Sequence, residues 1–131
     1  MAIEFNDQRW YPATGVIRYT TNWVKVHTSI SIIEYYSYLV EKHLHKKLNL
    51  PRHGAHVTVI SGKWERVTGK EAWGKHEGKQ VTFLYSSKVQ DQGNYFWVEV
   101  WSLSLNQLRE ELGLGARYHP LHLTVGNIKN L

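Results

Sequence analysis

A chain of 131 residues, 42% hydrophobic and 21% charged, has room for one core and is not disordered in composition. Its 16 Lys and Arg outweigh 11 Asp and Glu, for a net charge of +5, which favours an anionic, phosphate-bearing partner. The absence of cysteine excludes disulfides, thiolate nucleophiles and cysteine zinc sites, and fits a reducing, cytoplasmic compartment. No apolar run approaches the roughly 18 residues that span a bilayer, and MAIEFNDQRW has no basic-then-apolar leader pattern, so a soluble, non-exported protein without a membrane partner is expected.

In chain order, TGVIRYT (14–20) reads as a first strand. SISIIEYYSYLVEKHLHKKLNL then places Ile33, Tyr36, Val40, Leu44 and Leu48 at helical spacing. Ser31 and Glu34 suggest its capping box, and Pro51 lies beyond its end. His56–Ile60 is a second strand, rich in β-branched residues. Residues 62–79 are polar and glycine-punctuated, and read as a long irregular loop carrying Trp64 and Trp73. QVTFLYSS (80–87) and NYFWVEVW (94–101) are strands joined by a turn at Gly93. SLNQLREELGL is a second helix, from a capping box at Ser104 and Gln107 to Gly113, with Leu105, Leu108 and Leu112 as its apolar stripe. LHLTVGNI is the last strand. With no linker or low-complexity tract, the pattern predicts one α+β domain over 1–131, a sheet covered by two helices.

The chemistry lies in a repeated motif. His56-Val57-Thr58-Val59 and His122-Leu123-Thr124-Val125 are both His, aliphatic, Thr, Val, each on a strand that follows a helix and a loop. Side chains alternate across a strand, so each His shares a face with its Thr. If the two strands lie close together, two imidazoles and two hydroxyls converge. Two histidines suit general acid-base work near neutral pH, and threonine hydroxyls can donate to the non-bridging oxygens of a phosphate. Such chemistry needs no metal or other cofactor.

The paired His-x-Thr-x motifs resemble the 2H phosphoesterase superfamily, also called LigT-like, over most of the chain. It includes RNA 2',3'-cyclic phosphodiesterases, 2',5'-oligoadenylate phosphodiesterases and phage enzymes that destroy cyclic-oligonucleotide signals. The resemblance implies His56 and His122 as the catalytic pair and Thr58 and Thr124 as phosphate clamps. It also implies two pseudo-symmetric lobes of antiparallel sheet, each with a helix, facing across a central cleft. The expected activity is phosphodiester hydrolysis on a cyclic or 2',5'/3',5'-linked nucleotide. The short chain is similar to compact phage members that act on small nucleotides.

Other readings compete. His53 with His56, and His119 with His122, show His-x-x-His spacing, but positions three apart on a strand face opposite ways and no carboxylate stands beside either pair. His56 and His122 could instead be satisfied core histidines. A non-catalytic single-stranded RNA-binding module would use the same charge and the aromatics Trp64, Trp73, Tyr95 and Trp97, yet leaves the duplicated His-Thr spacing unexplained. Further contacts to a nucleotide or oligonucleotide substrate are assigned to Tyr19 on the first strand, to Trp64 or Trp73 as a base-stacking platform, and to Arg117 and Tyr118 before the last strand. His27 and His76 receive no role. No feature calls for an obligate protein partner.

Overall fold

The computed structural model describes residues 2–3, 8–115 and 120–128. Its chain runs β1 (Ala2–Ile3), β2 (Trp10–Thr20), β3 (Trp23–Thr28), α1 (Ile30–Leu44), β4 (His56–Ile60), β5 (Gln80–Gln92), β6 (Tyr95–Trp101), α2 (Leu103–Glu111) and β7 (Leu121–Asn127). A strand absent from the sequence reading is β3. Its Val24 and Val26 are buried and alternate with Lys25 and His27, the pattern of a strand with one covered face. Asn22, at φ +67, makes the tight turn from β2, a conformation asparagine tolerates better than most residues. Segment 62–79 is irregular, as expected, apart from a single 3-10 turn at Lys70–Ala72.

All strand pairings are antiparallel, in the order β5-β2-β3-β4-β7-β6, and β6 pairs again with β5. The six strands therefore close into a barrel, with β1 added along β5. This corrects the expectation of two sheet lobes around a cleft. Closure depends on the length of β5. Its residues 80–86 pair with β2, while Leu84, Tyr85 and, after a register break between Tyr85 and Val89, its last four residues pair with β6. Fully buried Ser86 serves that break, its hydroxyl accepting from the Lys88 amide at 3.1 Å. Such an irregularity bends a strand, and closing the sheet removes the exposed edges that two separate lobes would leave.

The core is the barrel interior. Ile17, Val24, Val26, Val57, Val59, Val81, Phe83, Val98, Val100, Leu121 and Leu123 from all six strands belong to a single apolar cluster. The helices complete it from opposite ends. α1 leaves where β3 hands over to β4 and inserts Ile33, Tyr36 and Val40, while α2 joins β6 to β7 and inserts Leu105 and Leu108. Both helices start two residues earlier than the sequence reading placed them. The Ser29 hydroxyl accepts the Ser31 amide at 3.2 Å, and the Ser102 hydroxyl accepts the Leu105 amide at 3.3 Å while donating to the Thr82 carbonyl. These serines stand at the last extended residue, which is where a cap acts.

Arg109 of α2 ties the long loop to the barrel. Its side chain is 3% exposed, pairs with Glu65 through two contacts at 3.0 and 2.6 Å, and donates to the Val59 carbonyl at 2.8 Å. Removing Glu65 strands a buried guanidinium without its counter-charge. Glu65→Ala is therefore expected to lower unfolding stability by about 3–5 kcal/mol in urea denaturation. Glu77→Ala, which breaks the exposed Arg18–Glu77 pair at 2.9 Å, should cost much less, because solvent screens that pair. Equal losses would contradict this account of the loop anchor.

Candidate active site

Because Val57 and Val59 of β4 point into the core, His56 and Thr58 point outward, half-buried on the barrel wall. On β7 the buried Leu121 and Leu123 likewise turn His122 and Thr124 outward. The two strands are antiparallel neighbours with Val57 across from Leu123. Continuing that register by one residue each way sets His56 across from Thr124 and Thr58 across from His122. The quartet thus has local two-fold symmetry, each imidazole beside the other strand's hydroxyl. Facing positions place Cβ atoms about 4.5–5.5 Å apart, and the diagonal between the histidines is about 7–8 Å. A tetrahedral phosphate with attacking and leaving oxygens in line fits that span.

The neighbouring strands extend the pattern. On β3, Lys25 lies across from Thr58 and His27 across from His56, with the His27 and His56 rings 6.3 Å apart. On β6, Trp97 lies across from Thr124 and Glu99 across from His122. The Trp97 ring meets the His122 ring nearly edge-on at 6.2 Å. The Tyr95 hydroxyl shares a 3.0 Å hydrogen bond with Thr124 Oγ1. The site is therefore cationic on its β3 side, and aromatic with one carboxylate on its β6 side.

Local irregularities hold β7 in place. Thr124 and Gly126 pair with the consecutive residues Trp97 and Phe96, which leaves Val125 as the extra residue of a bulge. The buried Ser37 hydroxyl of α1 donates to the Val125 carbonyl at 2.7 Å and satisfies it there. Gly126 allows the close approach of the segment after α1: a side chain would put Cβ 2.8 Å from the Asn49 carbonyl oxygen. Asn49 and Asn127 then exchange two backbone hydrogen bonds, at 2.8 and 3.0 Å. Beside His56 and Thr124 this leaves a groove of about 540 Å³, lined also by Pro51, Arg52, His53 and Tyr95.

His56 has a defined tautomer. Its Nδ1 lies 3.1 Å from the Gly54 carbonyl, an acceptor only, so Nδ1–H donates and Nε2 carries the lone pair. Burial pushes its pKa below the usual 6.5. The Gly54 hydrogen bond opposes that shift, and the positive charges of Lys25, His27 and His53 add to it. At neutral pH His56 is uncharged, the state of a proton acceptor.

Three further residues chosen from the sequence lie elsewhere. Tyr19 has the core-facing parity of Ile17 on β2; it packs edge-on against Trp73 at 5.2 Å, and its hydroxyl accepts the His76 amide at 3.3 Å. Trp73 lines a separate hollow of about 620 Å³ with Thr21, Arg66 and Lys70. Trp64 is 78% exposed under the Lys63 ammonium, beyond the end of β4 remote from His56. The 62–79 loop begins beyond the end of β4 opposite His56, so β4 carries the chain away from the quartet before Trp64 and Trp73. The aromatics beside the quartet are Tyr95 and Trp97. Arg117, Tyr118 and His119 lie outside the described residues. Among the described residues, no group of three His, Asp or Glu side chains is placed to hold a metal ion. The sequence reading had no site role for Lys25, His27 or Glu99. Their signal was the alternation in WVKVHT and YFWVEV, unusable until the strand order was known.

Comparison with known proteins returns no match: no family model, no curated protein and no solved structure is similar to this chain. Among the described residues, no helix is long and apolar enough to cross a membrane.

An NMR titration of the imidazole C–H signals tests the electrostatics. The His56 midpoint is expected below 6.5, and Lys25→Met should move it upward, since the largest of the neighbouring positive charges is then gone. A midpoint at or above 6.5 in the unmodified protein would contradict the assignment.

Proposed function

We propose that this protein is a phosphodiesterase that hydrolyses a cyclic or 2',5'/3',5'-linked nucleotide phosphodiester by two-histidine acid-base catalysis. The observation that carries the reading is the antiparallel β4–β7 register, which sets each motif histidine beside the other motif's threonine on one face. It rests on the site and not on a two-lobed architecture.

In the proposed mechanism, His56 Nε2 takes the proton of an attacking water or ribose hydroxyl as the new O–P bond forms. His122, protonated, gives its proton to the oxygen leaving phosphorus on the opposite side. The Thr58 and Thr124 hydroxyls donate to the non-bridging oxygens, where negative charge grows. The unequal surroundings support this division of roles. His56 is flanked by Lys25 and His27, which disfavour its charged form, whereas His122 stands across from Glu99 of β6. Proton exchange with solvent returns both histidines to their starting states. Work in the cytoplasm belongs to the same reading and is supported by the cysteine-free composition.

The test is a panel of 2',3'-cyclic nucleotides, 2',5'-oligoadenylate, cyclic dinucleotides and short RNA, with products resolved by chromatography in excess EDTA. Turnover is expected to persist in chelator. His56→Ala or His122→Ala should each lower kcat by about 10²- to 10⁴-fold with little change in substrate binding. Loss of activity in EDTA with recovery on added zinc or manganese, or full activity in either histidine variant, would overturn the proposal.

A further inference from the structure

We infer that the groove beside His56 and Thr124 is a nucleoside subsite, in which the base of one nucleotide stacks on Tyr95 while its phosphate lies over the His-Thr quartet. The inference rests on the phosphodiesterase reading for its phosphate position and adds the recognition of the base.

The size is right. At about 540 Å³ the groove falls within the range of small-ligand sites, and it opens directly onto His56 and Thr124. Its chemistry is that of a base pocket. Leu50 and Pro51 give an apolar lining, Tyr95 is 42% exposed, and among the described residues none that lines the groove is acidic. Asn49 and Asn127 bind each other through their backbones, so their side-chain amides are what remains to meet the donor and acceptor edge of a base. Arg52 and His53 add positive charge along the same groove.

The groove is also built to keep its shape. The two Asn49–Asn127 hydrogen bonds and the absent side chain at Gly126 fix its floor. The Leu48 amide donates to Glu41 at 2.7 Å, and the Gly54 amide closes a turn onto the Pro51 carbonyl at 3.2 Å. Tyr95 joins groove to quartet, because the ring that would carry the base places its hydroxyl on Thr124 at 3.0 Å. A base on Tyr95 therefore sets the distance from sugar to phosphate, which disfavours diesters with no base.

Isothermal titration calorimetry on the full chain, with nucleoside 3'-monophosphates compared with ribose 5-phosphate and inorganic phosphate, reads the subsite without requiring turnover. The nucleotides should bind about ten- to a hundredfold more tightly than ribose 5-phosphate. Tyr95→Ala should remove that advantage and Tyr95→Phe should keep most of it. Leu50→Trp, at an exposed position, should fill the groove and also remove the advantage. Equal affinity for nucleotide and ribose 5-phosphate, or an advantage that survives both Tyr95→Ala and Leu50→Trp, overturns the subsite even if diesters are hydrolysed. Nucleotide binding that depends on Tyr95, in a protein that hydrolyses no diester, upholds the subsite and removes the phosphodiesterase reading instead.

Discussion

The pairing of Val57 with Leu123 at the seam between β4 and β7 is the constraint on which the rest depends. Both side chains are fully buried in the barrel, and burial of such a residue contributes about 1.5–3 kcal/mol. A strand has a period of two, so a slip of one residue on β4 would turn His56 and Thr58 into the core and Val57 outward. The same apolar residues that hold the barrel shut therefore decide that both histidines and both threonines face out, side by side. The site is a consequence of core packing.

The barrel wall then gives the two histidines different neighbours. Successive strands present Lys25 and His27, then His56 and Thr58, then His122 and Thr124, then Trp97 and Glu99. A symmetric quartet thus sits in an asymmetric field, positive toward β3 and negative or aromatic toward β6. Such a field gives the two histidines unlike surroundings without any difference between the two motifs themselves. The bulge at Val125, with its carbonyl held by Ser37, and the bare backbone of Gly126 place β7 for this arrangement and open the groove next to it.

Much of this was legible in the sequence, and the gaps have physical causes. The helices showed in their 3.6-residue spacing, with Ile33, Tyr36 and Val40 buried as read. β4, β6 and β7 showed in their composition. The two motifs stood out because a repeated His-x-Thr is visible without knowing which strands touch. β3 was missed because it follows a turn with no glycine, made by Asn22 in a left-handed conformation. Barrel closure was not readable at all, since it depends on β5 pairing with both β2 and β6, a tertiary pairing that no local pattern encodes. That same ignorance of strand order put base stacking on Trp64 and Trp73, which are near His56 in sequence. Tyr95 and Trp97 are distant in sequence and adjacent across the sheet.

The central claim is that His56 and His122 act together on one phosphate, and the most direct measurement is a double-mutant cycle on kcat. Groups that serve a single transition state as a unit are strongly non-additive. The account predicts that the double variant His56→Ala/His122→Ala loses about as much rate as either single variant. Rate losses that multiply, as they do for sites that act independently, would contradict it.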